Sequence, residues 1–168
     1  QFQDSALLST VKRLLERTGI DPHWLEFELT ETAVMQQPEQ VLMTMDGMTG
    51  LGLRFSLDDF GTGFSSFVHL HSLPINLLKI DRSFVKAIAE RTADRQLVGA
   101  MIDMGHSLGL EVVAEGVEYR DQLEILRSLG CDQVQGYFIS PALAFEELCY
   151  FMDAYAMGRE EECGSATG

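Results

Sequence analysis

At 168 residues with 46% hydrophobic content, the chain is long enough for one domain with a sizeable core, which excludes a disordered body. Its 26 acidic against 12 basic residues give a formal net charge of -14, which excludes non-specific binding to a nucleic-acid polymer or to an anionic membrane, since both would repel it. Cys131, Cys149 and Cys163 have neither CxxC spacing nor an even count, so no zinc site or disulfide framework is indicated; without a signal peptide or an apolar run near the roughly 20 residues that span a bilayer, the chain is expected to be soluble and cytoplasmic, with no membrane contact by this segment.

Ser5 is placed to cap a helix whose apolar face is Leu7, Leu8, Val11, Leu14 and Leu15, ending near Gly19. "WLEFELTE" follows as a strand, with Trp24 in the core or at a subunit contact. Pro38 opens a second helix through Val41, Leu42, Met45 and Met48, with the run Met43, Met45 and Met48 expected to fill the core, and Gly50 and Gly52 stop it before the strand "LRFSLDD". "INLLKID" is a strand, Leu97 to Leu108 a helix, "EVVAEGV" a strand, Gln122 to Leu129 a helix, and "DQVQGYFI" a strand. Short, nearly continuous apolar strands alternating with helices predict an α/β fold with a parallel sheet covered on both faces. A last helix, Phe145 to Met157, leads to a polar tail, so residues 1–157 form the domain and 158–168 a mobile acidic tail.

Polar residues gather at or just after the C-terminal ends of the predicted strands: Glu28 and Glu31, Asp58 and Asp59, Lys79 and Asp81, Glu115 and Glu118, and Gln135. In a parallel barrel or sheet those ends converge on one face, where ligands bind. Several acids with a single lysine cannot all stay ionised uncompensated, and an all-oxygen set suits Mg²⁺ or Mn²⁺. "DDFG" alone also reads as a solvated turn or helix cap. Two metals bridged by one carboxylate, with Asp58 the candidate bridge, would activate a water for attack on phosphorus. Lys79 is either a cation for that water or a phosphoryl oxygen, or a structural partner of a buried acid. "GTGFSS", with Thr62, Ser65 and Ser66, reads as a phosphate cradle or as a lid or interface loop. His69 and His71 lack further soft ligands, and His106 sits in a helix pattern as a structural residue. A barrel lyase or isomerase using Lys79 as base with one Mg²⁺ is a third reading. The adjacent aspartates suit two bridged metals better.

"ELTE", "DDFGTGFSS", "LKIDRSFV", "AEGVE" and "QGYFISP" stand in the order and approximate spacing of the EAL-type domain, and the chain from about Gln1 to Leu148 resembles that family. The resemblance implies a modified (β/α)8 TIM-like barrel that hydrolyses cyclic di-GMP to linear pGpG with two Mg²⁺ or Mn²⁺ ions. By matching position, Glu28 would bind one metal, Asp58 would bridge, and Asp59 with Glu115 would hold the second. Lys79 would contact the attacking water, completing a catalytic set with Asp59 and Glu115. Glu31 would anchor the loop that begins at Gly61 and carries Thr62; Gln135 would line the site, with Glu118 in support. That loop also implies a homodimer. The family's Glu-Ala-Leu and the Asn of its next strand belong upstream of Gln1, so the chain is expected to be an N-terminally truncated barrel with about five of eight strands. It would then be the C-terminal part of a larger protein with upstream sensory or regulatory domains, weakly active or inactive alone. A non-catalytic cyclic di-GMP receptor or interaction module is the alternative.

Overall fold

The computed structural model describes residues 2, 6–36, 38–61, 70 and 72–164. Helix α1 (Leu7–Thr18) turns Val11 into the core and ends at Gly19, whose N–H bonds to Leu15 O. Its N-cap is Ala6, which offers no side-chain acceptor, and the expected cap Ser5 lies outside the described residues. A single 3₁₀ turn (Pro22–Trp24), capped by Asp21, leads into β1 (Glu26–Thr30). Trp24 sits on this turn 82% exposed, which corrects its placement in the core.

Thr30 ends the strand and its hydroxyl accepts from Ala33 N (3.3 Å), starting α2 (Glu31–Gln36), a helix the apolar pattern did not predict. α3 (Pro38–Thr49) buries Val41, Met45 and Met48 but leaves Met43 exposed. Then come β2 (Arg54–Phe60), β3 (Leu77–Ile80), α4 (Arg82–Val85), α5 (Thr92–Ser107), β4 (Glu111–Glu115), α6 (Arg120–Ser128), β5 (Gln133–Gln135) and α7 (Phe145–Gly164). β5 is shorter than "DQVQGYFI" suggested, because the chain turns after Gln135. α7 runs on past Met157.

All five strands are parallel, in the order β1-β2-β3-β4-β5, and among the described residues β1 and β5 are the edges of an open sheet. Asn76 pins the register where the β2–β3 ladder begins: its side chain accepts from Phe55 N (3.0 Å) and its N–H donates to Phe55 O (2.8 Å). A five-stranded parallel sheet flanked by helices is a partial barrel of the expected class.

The two faces of the sheet differ. Leu29, Phe55, Leu57, Leu78, Ile80, Val112 and Ala114 alternate onto one face and join Val34, Val41, Met45, Met48, Val98 and Ile102 from the helices in a single core. The opposite face carries Glu26, Glu28, Arg54, Leu77, Lys79, Val113, Gln133 and Gln135, which line a concavity of about 420 Å³. The strands therefore alternate, and the expectation of two apolar, helix-covered faces is corrected: a period-2 pattern commits one face to the core and the other to polar groups.

Candidate functional site

The pair Asp58–Asp59 sits at a break in the ladder. Leu57 pairs with Leu78 and Phe60 with Ile80, so three steps along β2 match two along β3. Leu57 and Phe60 both belong to the apolar core, which leaves the two aspartates to share the space that a regular strand gives to one residue. Asp59 takes up the extra length in a left-handed conformation, φ 57°, the only non-glycine residue so strained among those described, and its N–H bonds to Asp58 Oδ1 (3.0 Å). The bulge thus explains why adjacent carboxylates occur at a strand end. A regular strand would have sent one of them into the core.

Across the polar face, three strands deliver carboxylates to one cation. Lys79 Nζ donates to Glu28 Oε1 (2.7 Å) and Glu115 Oε1 (2.7 Å), with Asp58 Oδ1 at 3.6 Å. The lysine side chain is only 7% exposed. Burial alone would lower its pKa, but the bonds from Glu115 and Glu28 and the field of Asp58 outweigh burial and hold it above the ordinary lysine value. Lys79 is therefore an ammonium at neutral pH. The contacts suit it to donating hydrogen bonds and stabilising negative charge rather than to accepting a proton, which disfavours the lyase reading.

Gln135 lies at the end of β5, lining the same concavity as Glu28 and Lys79, and Glu118 lies just beyond β4 on the rim of an adjoining cavity. Glu31 begins α2 directly after β1, though its side chain is outside the description, as are Thr62, Ser65, Ser66, His69 and His71. Asp81 does not join the site: its carboxylate caps α4 through Ser83 N (3.0 Å), and that bond, with Arg82 nearby, outweighs burial and holds its pKa below the ordinary aspartate value. His106 bonds through Nε2 to Asp132 Oδ2 (2.8 Å), an oxygen that also accepts from Val112 N (2.8 Å), so the histidine braces the start of β4.

Two sets of residues escaped the sequence reading. Arg54 Nη2 donates to Glu111 Oε2 (3.0 Å) at the N-terminal end of the polar face, and Gln133 Nε2 adds a bond to the same oxygen (3.3 Å). Period-2 counting within β2 and β4 would have put Arg54 with Asp58 and Glu111 with Glu115. Gln122, buried, accepts from Glu118 N (2.8 Å) and Tyr119 N (3.1 Å) and fixes the loop after β4. The spacing Tyr119-x-x-Gln122 was its available signal, as half of a capping box.

The donor set around Lys79 is entirely carboxylate oxygen, which fits hard divalent cations, and three carboxylates against one ammonium leave the cluster short of positive charge. Among the described residues, no three His, Cys, Asp or Glu side chains are arranged to hold an ion by themselves. Here the acids close on Lys79 instead. Nor, among the described residues, is any helix long and apolar enough to cross a membrane.

The chain is similar to several known proteins. The cyclic di-GMP phosphodiesterase NbdA of Pseudomonas aeruginosa is 41% identical over 151 residues, which cover 90% of this chain and 19% of that protein. The bifunctional diguanylate cyclase/cyclic di-GMP phosphodiesterase MucR of the same organism is 37% identical over 148 residues, 88% of this chain and 22% of that protein. A solved structure of the MucR phosphodiesterase in a cyclic di-GMP complex matches with a TM-score of 0.83 at 37% identity, covering 88% of this chain and 60% of that one. The chain spans about a fifth of the length of the curated relatives it matches. The model of the EAL domain matches residues 1–142, and the chain belongs to the EAL domain family.

Proposed function

We propose that this chain acts in the metal-dependent hydrolysis of cyclic di-GMP, opening one phosphodiester to give linear pGpG. The observation that carries this reading is the meeting of Glu28, Asp58 and Glu115, from three strands, on the buried Lys79 ammonium. The bulge adds Asp59 beside them. The names of NbdA and MucR as cyclic di-GMP phosphodiesterases support it.

Glu28 would hold one Mg²⁺ or Mn²⁺, Asp58 would bridge to a second, and Asp59 with Glu115 would complete the second ion's ligands. Bound there, the ions would lower the pKa of water at the site and neutralise phosphate charge. Lys79 orients the attacking water or stabilises a phosphoryl oxygen by donating hydrogen bonds, a role its retained charge suits. Glu31 anchors the loop beginning at Gly61, to which Thr62 belongs, while Gln135 lines the site and Glu118 supports it. Operation in the cytoplasm as a homodimer, linked to sensory or regulatory domains, is part of the same proposal.

The test is incubation of the chain with cyclic di-GMP in Mg²⁺, in Mn²⁺ or in chelator, with chromatographic detection of pGpG. Metal-dependent product, even at a slow rate, is expected. Binding without product under any metal would favour the receptor alternative, and neither binding nor product would defeat the reading.

A further inference from the structure

The loop between β4 and α6 is held from three sides. Val117 is buried in the core, its N–H bonds to Gln135 O (3.1 Å), and its carbonyl accepts from Phe138 N (2.9 Å), which ties the loop to the chain after β5. Gly116, at φ 72°, approaches the stem of Arg82 so closely that a Cβ there would run into it, so the loop also rests on the start of α4. The third hold is the side chain of Gln122.

Gln122 stands on the first turn of α6 and is only 3% exposed. Its Oε1 accepts from Glu118 N (2.8 Å) and Tyr119 N (3.1 Å), while its Nε2 reaches the end of α4 and donates to Val85 O (3.4 Å) and Lys86 O (3.3 Å). Capping α6 needs only the acceptor, and a glutamate would supply it. The donor goes 37 and 36 residues back along the chain, to the helix that follows the strand of Lys79, and only an amide serves both sides at once.

Glu115 and Glu118 flank this loop, and both border the cavity of about 270 Å³ beside the acid cluster. Their support differs. Glu115 ends β4 and pairs in register with Gln135, so the ladder places it, whereas Glu118 has left the ladder and its N–H is anchored by Gln122. Resting on the cyclic di-GMP reading above, we propose that Gln122 is a positioning residue for the hydrolysis. By locking the loop after β4 to the end of α4, it keeps Glu118 at the edge of the acid cluster without itself touching substrate, ion or reacting phosphate. Misplacement by about 1 Å can cost a large factor in rate while the fold survives.

The experiment measures steady-state hydrolysis of cyclic di-GMP by the full chain at saturating Mg²⁺ for wild type, Gln122→Met and Gln122→Glu, each also in a Glu118→Gln background, with amide hydrogen exchange and urea denaturation of the same proteins. Gln122→Met keeps the volume and loses every bond. Gln122→Glu keeps the acceptor for α6 and loses the donor to α4, so it reads the link between the two segments even if the methionine variant fails to fold. In both, kcat is expected to fall about tenfold with KM within about twofold, and exchange at the Glu118 and Tyr119 amides is expected to quicken in Gln122→Met. In the Glu118→Gln background the same changes are expected to cost less than about twofold, because the group they misplace is already gone. A full tenfold cost in that background, or wild-type kcat in folded Gln122 variants, overturns the inference, makes Gln122 only a structural cap and leaves the proposed function standing. Absence of hydrolysis by wild type overturns both.

Discussion

At the N-terminal ends of the strands Arg54 meets one carboxylate, whereas at the C-terminal ends of the same polar face Lys79 meets three. The lower contact is one to one, a guanidinium on one carboxylate with one amide beside it and Glu26 nearby on the same face, and the Arg54 and Glu111 side chains are 37% and 50% exposed. Water can replace either partner, and exposed pairs of this kind contribute about 0–1 kcal/mol. The upper cluster is unbalanced around a buried cation, and it includes a bulge that holds an aspartate in a left-handed conformation. A buried ammonium that depends on its partners and a strained backbone both cost stability, and their coincidence at this end supports the functional reading proposed for it. Two carboxylate–cation contacts of similar length on one face therefore have different meanings, and charge balance with burial separates them better than distance does.

The largest expected effect lies at the upper end. Asp58→Asn should lower metal-dependent hydrolysis by at least about two orders of magnitude, because the lost charge removes the bridge that water activation needs. Glu111→Gln, the matched change at the lower end, should leave the rate within about twofold. Steady-state rates at saturating Mg²⁺ decide it. Near-wild-type turnover in Asp58→Asn would remove the bridging role, and equal losses in the two variants would break the distinction between the clusters.

Lys79→Ala comes next. A group that acts on the attacking water matters chiefly in the transition state, so turnover should fall about 100-fold while affinity for cyclic di-GMP changes only a few fold. Calorimetry beside kinetics separates the two quantities. Parallel losses would make Lys79 a uniform binding group or, if the melting temperature also collapsed, only the structural partner of Glu28 and Glu115.

The legibility of these two ends in the sequence differed for a physical reason. Glu28, Asp58, Lys79 and Glu115 were readable because each lies within or at the end of a recognisable strand run, and parallel strands bring their C-terminal halves together whatever the details of pairing. The order of strands and most helices followed from the same periodicity. Arg54 and Glu111 stand at strand starts 57 residues apart, and nothing local links them until the register is known. The bulge was equally hidden. "DDF" is compatible with a straight strand, and only the pairing of Leu57 with Leu78 and Phe60 with Ile80 reveals the extra residue. Asp81 misled for the opposite reason: an aspartate just after a strand is also an aspartate just before a helix, and the cap took it. α2 was missed because its start depends on the Thr30 hydroxyl in the same short string that reads as strand.

The bulge supplies a third, smaller test of whether the upper end exchanges stability for function. Asp59→Gly removes the Cβ from a left-handed backbone position, which should favour the folded backbone by about 0.5–1 kcal/mol and offset the loss of the side chain's own interaction. Hydrolysis should nonetheless fall, since a proposed ligand of the second ion is gone. Urea denaturation with the rate assay reads both. A clear loss of stability would show that the Asp59 side chain holds the bulge together, and that its geometry is structural before it is functional.

The smallest effect is expected at the lower end, where both partners reach water. A double-mutant cycle on Arg54→Ala and Glu111→Ala, measured by urea denaturation, should give a coupling of about 0.5 kcal/mol, because both side chains reach water and each can be rehydrated when its partner is removed. The coupling should shrink further in about 1 M salt, where screening acts within a few ångströms. Gln133 gives the cycle an internal check: its bond to Glu111 is neutral-to-charged and should survive the salt that weakens the ion pair, so Gln133→Ala should cost a similar amount at both ionic strengths. A coupling of several kcal/mol, insensitive to salt, would mean that the Arg54–Glu111 pair is shielded from water in solution. Charge balance alone, without burial, would then be what distinguishes the two ends of the face.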